Sequence, residues 1–216
     1  MNQYDKIQTV FKRDEKTKKI IEGDFSMSEF EYLKDNEWIF TEKVDGTNIR
    51  VMWNGESVVF GGKTDEASIP AFLLYKLQEL FEGTVKRELF KQVFTTAVPN
   101  EVCLYGEGYG RKIQSAGSSY IPDGNNFVLF DIKVGRWWLE REAVEDIANK
   151  LGIKVVPIIG KGKLQEAVEM TRTGFKSQWG DFIAEGIVAR PSVTLITRSG
   201  ERVITKIKYR DFNHEK

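Results

Sequence analysis

From Trp38 onward the chain alternates short runs of aromatic and β-branched residues with longer stretches whose apolar side chains recur three and four positions apart. The runs WIFTEKV and NIRVMW predict strands, and the Asn54-Gly55 pair before SVVF predicts a tight hairpin. Together they read as an antiparallel meander. After Pro70, AFLLYKLQELFEGTVKRELFKQVF has helical spacing interrupted near Gly83, which predicts one or two helices lying on the sheet. EVCLYGEG and NFVLFDIKV predict strands, LEREAVEDIANKLG an amphipathic helix stopped by Gly152, and IKVVPII a strand closed by Gly160. KLQEAVEMTRTG predicts a short helix, EGIVAR a strand, and TLITRSGERVITKIKY a final hairpin turning at Ser199-Gly200. Residues 1–36 are polar and mixed, and their basic cluster FKRDEKTKK reads as a solvated face. With no repeat, low-complexity tract or linker, the 216 residues are expected to form a single α+β domain of antiparallel sheets flanked by helices.

Composition narrows the chemistry more than the fold. Apolar residues at 41% and charged residues at 30% fit a globular protein and exclude a fibrous or disordered class. No apolar run is long enough to span a bilayer and no signal-peptide pattern follows the first methionine, so a cytoplasmic protein is expected, in a host cytoplasm if phage-encoded. Cys103 is the lone cysteine and sits in a strand-like run that suits a small buried side chain, which leaves no disulfide framework or cysteine zinc site. The lone histidine, His214, lies two residues from the end and argues against serine-histidine hydrolysis and histidine-rich metal sites. Lys plus Arg and Asp plus Glu balance at 32 each, so any grip on a polyanion must come from a local basic groove.

Charged residues recur at the ends of the predicted strands, in EKVDG, GEG, FDI, EGIV and TKIKY. Strand ends hold catalytic groups on a rigid scaffold. Lys43 beside Glu42 and Asp45 would, alone, be a solvated ion pair worth about 0–1 kcal/mol. Lys206 and Lys208, two apart on a strand, point to one face. A lysine nucleophile with carboxylates and further cations, and no histidine, suits phosphoryl or nucleotidyl transfer.

The ordered set KVDG, LYGEG, FVLFDI, EGIV and TKIK resembles the motifs of the covalent nucleotidyltransferases, which comprise ATP-dependent polynucleotide ligases and messenger-RNA capping enzymes. Lys-any-Asp-Gly is weak taken singly; the force lies in five motifs in order, covering nearly all of the chain from Trp38. Within that superfamily EKVDGTN followed by FGGKTDEASIP looks most like the RNA-ligase branch that includes the nick-sealing phage enzymes. The resemblance implies the ATP-grasp-like nucleotidyltransferase fold of ligases, with a nucleotide cleft between antiparallel sheets. It implies that Lys43 attacks the α-phosphorus of ATP to form lysyl-AMP. AMP then passes to a 5′-phosphate, and a 3′-hydroxyl displaces it. By the same resemblance Lys206 and Lys208 stabilise the α-phosphate, Glu185 places Mg2+ or Mn2+, Glu107 accepts from the ribose hydroxyls and Phe130 stacks on adenine. Glu42 is expected to read the adenine amino group, and Gly46 to allow an unusual backbone conformation close to the nucleotide. Thr47 and Asn48 are expected to meet the nucleic-acid ends. Lys63, where the branch usually has arginine, is expected to grip nucleotide or terminal phosphate as a point charge rather than a planar fork.

The partner implied is RNA with 5′-phosphate and 3′-hydroxyl ends, including a nicked duplex, bound by a monomer. Only eight residues follow Lys208, so no oligonucleotide-binding barrel is expected, and substrate grip is expected from residues 1–36, the catalytic face or an accessory protein. Two other readings stand beside this one. The chain could be an ATP-dependent DNA ligase core, or a nucleotide- or RNA-binding protein without turnover.

Overall fold

The computed structural model describes residues 3–95 and 101–212; His214 lies outside them. The described residues group into two compact units, one of residues 45–156 with Tyr4, the other of residues 5–44 and 157–212.

In the first unit, alternation in Thr47–Trp53 sends Ile49, Val51 and Trp53 to one face, where the helices Ala71–Phe81, Thr84–Val93 and Arg141–Leu151 cover them with Leu73, Leu77, Phe90, Val144 and Ala148. The sheet runs Lys154–Val155, Asn125–Val134, Val102–Gly110, Thr47–Trp53, Val58–Gly61, with Trp137–Trp138 paired to Asn125–Val134. The expected break between the first two helices falls at Gly83, and the third helix ends at Gly152. Cys103 is buried, and burial pushes its thiol up to about 11, as suits an inert packing residue.

The second unit is built on a five-stranded sheet in the order Gln8–Thr9, Thr205–Lys208, Gly186–Pro191, Trp38–Glu42, Ile158–Gly162. Its core joins Trp38, Phe40, Ile187, Ala189 and Ile207 to Leu164, Ala167 and Val168 of the helix Leu164–Thr173.

Three expectations need correction. Trp38–Glu42 does not continue into Thr47–Trp53 as a meander; it lies between Gly186–Pro191 and Ile158–Gly162, and only Thr47–Trp53 and Val58–Gly61 form the hairpin turned at Asn54-Gly55. IKVVPII is two strands rather than one. Pro157 has no N–H to give a ladder, and Lys154–Val155 and Ile158–Gly162 pair into different sheets on either side of it. The final hairpin shrinks to a turn around Ser199-Gly200 with one bridge between Ile196 and Arg202, while Thr205–Lys208 pairs with Gly186–Pro191 and Gln8–Thr9. The basic cluster is largely exposed, as expected, and the segment around it is folded: Phe11–Arg13 and Ile20–Phe25 pair, and the helix Ser28–Leu33 buries Phe30 completely against Trp38.

Phe30→Ala should therefore cost about 3–5 kcal/mol, the usual penalty for emptying a closed aromatic site. Urea unfolding measures it, and a loss below about 1 kcal/mol would show that the N-terminal segment is not part of this core.

Candidate active site

Gly186–Pro191 has an antiparallel neighbour on each side, and their register fixes the site of the second unit. Ile187 lies opposite Glu42, and Gly186 opposite Lys208. The Lys43 N–H donates to the Gly186 carbonyl at 2.9 Å and the Tyr209 N–H to the Glu185 carbonyl at 2.9 Å. Glu185, just before the middle strand, is thereby held between the ends of its two neighbours. Its Oε2 accepts from Lys43 Nζ at 2.7 Å and its Oε1 from Lys208 Nζ at 2.7 Å. Lys206 stands two residues before Lys208 on the same face, while Ile207 between them enters the core. Side-chain exposures of 21% for Lys43, 12% for Glu185 and 16% for Lys208 leave the group sheltered but reachable.

The junction depends on Gly186. Its φ is +154°, and a Cβ there would lie 2.0 Å from the Ile207 carbonyl oxygen. Two lysines on one carboxylate carry net positive charge, which suits a polyphosphate. Among the described residues no group of three or more His, Cys, Asp or Glu side chains could cage a metal ion. A single carboxylate instead fits a hard divalent ion held largely by water and phosphate oxygens.

Glu42 follows Trp38 and Phe40 onto the core side of the strand and is 1% exposed. It accepts from Ser177 Oγ at 2.6 Å and from the Gln178 N–H at 2.8 Å. Burial raises its pKa above the ordinary 4.5, and the two hydrogen bonds oppose that rise. Ser177 and Gln178 carry no local sequence signal, because they meet Glu42 across more than 130 residues.

The other expected site residues lie in the first unit. Asn48 faces Glu107 directly across the ladder, and Arg50 faces Tyr105, all on the face opposite Ile49 and Val51. Phe130 sits at the bulge one strand further, edge-on to Tyr4 with ring centroids 5.0 Å apart, and the Tyr4 hydroxyl donates to Asp131. Thr47 pairs with Gly108, so alternation turns it to the helix-covered face, away from Asn48 and Glu107. Lys63 is exposed in the loop after Val58–Gly61.

Gly46 serves close approach rather than unusual torsion. It is not among the positive-φ glycines, yet a Cβ would lie 2.3 Å from the Gly108 carbonyl oxygen and 2.7 Å from Glu107 Cγ. Two side chains that no motif announced pin this turn: the Asp45 N–H donates to the Tyr120 hydroxyl at 3.0 Å, and Gln114 Nε2 donates to the Gly46 carbonyl at 3.1 Å.

Lysines and a carboxylate gathered at strand ends of an α+β sheet protein suit a phosphate-handling site. Residues 36–208 match the RNA ligase family, and the chain belongs to it. The fold is similar to solved structures of a Naegleria gruberi RNA ligase. One with pyrophosphate is 20% identical, has a TM-score of 0.62 and is matched over 83% of this chain and 51% of that one. A variant with AMP and Mn is 17% identical with a TM-score of 0.67, over 96% and 56% of the two chains. A variant with ATP and Mn is 19% identical with a TM-score of 0.62, over 83% and 52%. The chain thus spans about half the length of the structures it matches.

Glu42 makes stability pH-dependent in a definite direction. A carboxyl with a raised folded pKa binds its proton more tightly when folded, so its contribution is lost as pH rises through the window above 4.5. Glu42→Gln should be more stable than the parent at neutral pH, with the gain shrinking as pH falls toward about 4. Urea midpoints across that range check it, and a gain independent of pH would contradict the assignment.

Proposed function

We propose that this protein is an ATP-dependent RNA ligase that works through lysyl-AMP, on the strength of one observation: Glu185 holds Lys43 and Lys208 at 2.7 Å each, in a sheltered basic group. In the first step Lys43 Nζ attacks the α-phosphorus of ATP. The N–P bond forms, the bond from the α-phosphorus to its bridging oxygen breaks, pyrophosphate leaves, and the ammonium gives up two protons to solvent while the phosphoramidate nitrogen keeps one. Hydrogen-bonded to Glu185, Nζ offers no lone pair in that direction, so attack requires the carboxylate to be drawn away. A divalent ion, Mg2+ or Mn2+, supplies Lewis-acid stabilisation of phosphate charge when bound, and Glu185 with water is the ligand available for it. Lys206 and Lys208 face the developing charge on the α-phosphate.

The remaining roles are those that the family resemblance implies. Glu107 and Asn48, opposed across one ladder, take the ribose hydroxyls and a phosphate or strand end; Thr47 stands at the same turn. Phe130 stacks on adenine, with Tyr4 bracing its ring. Glu42, fixed by Ser177 and Gln178, offers the lone pairs they leave to the adenine amino group. Gly46 lets the turn lie against Glu107, and Lys63 grips the terminal phosphate. In the second step a 5′-phosphate oxygen of RNA attacks the lysyl-AMP phosphorus, the P–N bond breaks and Lys43 is regenerated. In the third, a 3′-hydroxyl attacks that 5′-phosphate, the phosphodiester forms and AMP leaves. The substrate is RNA ends, as at a nick, and the enzyme acts as a cytoplasmic monomer, with an accessory protein aiding grip where one exists. No helix among the described residues is long and apolar enough to cross a membrane.

With ATP labelled on the α-phosphate and Mg2+, the parent should retain label through denaturation, Lys43→Ala should retain none, and Glu185→Gln should be labelled about 10²-fold more slowly. Label on the Lys43→Ala protein would refute the mechanism. Nicked duplexes ending in ribose should seal faster than those ending in deoxyribose, because the 2′-hydroxyl distinguishes the two polymers. Equal sealing would remove RNA as the substrate class.

A further inference from the structure

Arg50 is among the largest fully buried side chains, at 1% exposure, yet it points away from the apolar core that takes its neighbours Ile49 and Val51. A buried guanidinium persists only where it is paired and hydrogen-bonded. Its Nε donates to the Gly62 carbonyl at 2.7 Å and its Nη2 to Asp65 Oδ1 at 2.8 Å. These bonds fall on either side of Lys63. Gly61, opposite Arg50 in the ladder, leaves the room: a Cβ there would lie 2.9 Å from Nη2.

We infer that Arg50 is a positioning residue for transfer of AMP to an RNA 5′-phosphate, acting through Lys63. This rests on the function proposed above. Two physical effects carry it. First, Lys63 is a compact charge on a flexible stem, so its aim depends on the loop beneath it, and the planar fork of Arg50 holds that loop at the Gly62 carbonyl and at the Asp65 carboxylate. Second, Asp65 is a carboxylate two residues from Lys63 and about half exposed. Left unpaired, it would compete for the lysine ammonium and repel an incoming phosphate. Arg50 engages it, and the same hydrogen bond holds its pKa below the ordinary carboxylate value. The guanidinium also keeps one nitrogen in reserve. Nη1 is buried without a hydrogen-bond partner, as is Oδ1 of Asn48 two residues earlier on the same face, which leaves a donor and an acceptor unspent beside the loop.

The test separates the first two chemical steps in Arg50→Met, Arg50→Lys, Lys63→Met and the double variant Arg50→Met/Lys63→Met. Labelling by α-labelled ATP reports the first step, and transfer from pre-adenylated enzyme to 5′-phosphorylated RNA reports the second. Arg50→Met and Lys63→Met should each slow transfer by roughly 10–100-fold and slow labelling by a clearly smaller factor. The double variant should be no slower than Lys63→Met alone, and Asp65→Asn should restore part of the transfer lost in Arg50→Met. Arg50→Lys keeps the charge without the fork and should show the same selective loss, which decides the matter if Arg50→Met does not fold. Equal slowing of both steps, normal transfer by Lys63→Met, or multiplicative losses in the double variant would overturn the assignment. A parent enzyme that takes no label would instead overturn the ligase reading on which it rests.

Discussion

The carboxylate of Glu185, accepting from Lys43 on one oxygen and Lys208 on the other, is the contact on which the rest of the second unit depends. It ties together residues 43, 185 and 208, which are far apart in the chain. It exists only because Gly186–Pro191 lies between Trp38–Glu42 and Thr205–Lys208 in one register. A slip of one residue would exchange Lys206 and Lys208 with Ile207, burying ammoniums and exposing an apolar side chain. The apolar positions of the three strands therefore defend the geometry of the charged ones. Gly186 completes the constraint, since the Ile207 carbonyl occupies the space any side chain there would need.

The first unit solves a different problem with backbone and hydrogen bonds. Gly46 is pressed against Gly108, and the turn is pinned by Tyr120 and Gln114. Arg50 holds the loop that carries Lys63, and Tyr4 meets the edge of Phe130. The motif KVDG is shared between the units along the chain, with Lys43 and Val44 in one and Asp45 and Gly46 in the other. One short sequence thus carries Lys43 of one group and the anchoring turn of the other.

The sequence made some of this legible for physical reasons. Helical periodicity is local, so Ala71–Phe81, Thr84–Val93, Arg141–Leu151 and Leu164–Thr173 could be read directly. Lys43, Glu185, Lys206 and Lys208 were readable as an order of motifs, without their distances. Strand partners were not legible, because pairing is non-local: Trp38–Glu42 looks like the first strand of a meander until Gly186–Pro191 claims its edge. Ser177, Gln178, Tyr120, Gln114 and Arg50 belong to no motif and act through neighbours distant in sequence. Phe30 was hidden for another reason, as the polar residues around it masked a single anchor.

The central claim is that Lys43 carries AMP because of where Glu185 and the strand register place it. Peptide mass spectrometry of the protein after incubation with ATP and Mg2+ tests this most directly, by locating the adduct. The account predicts a phosphoramidate-linked AMP on the peptide containing Lys43 and on no other. An adduct on Lys206, Lys208 or Lys63, or none at all, would contradict it.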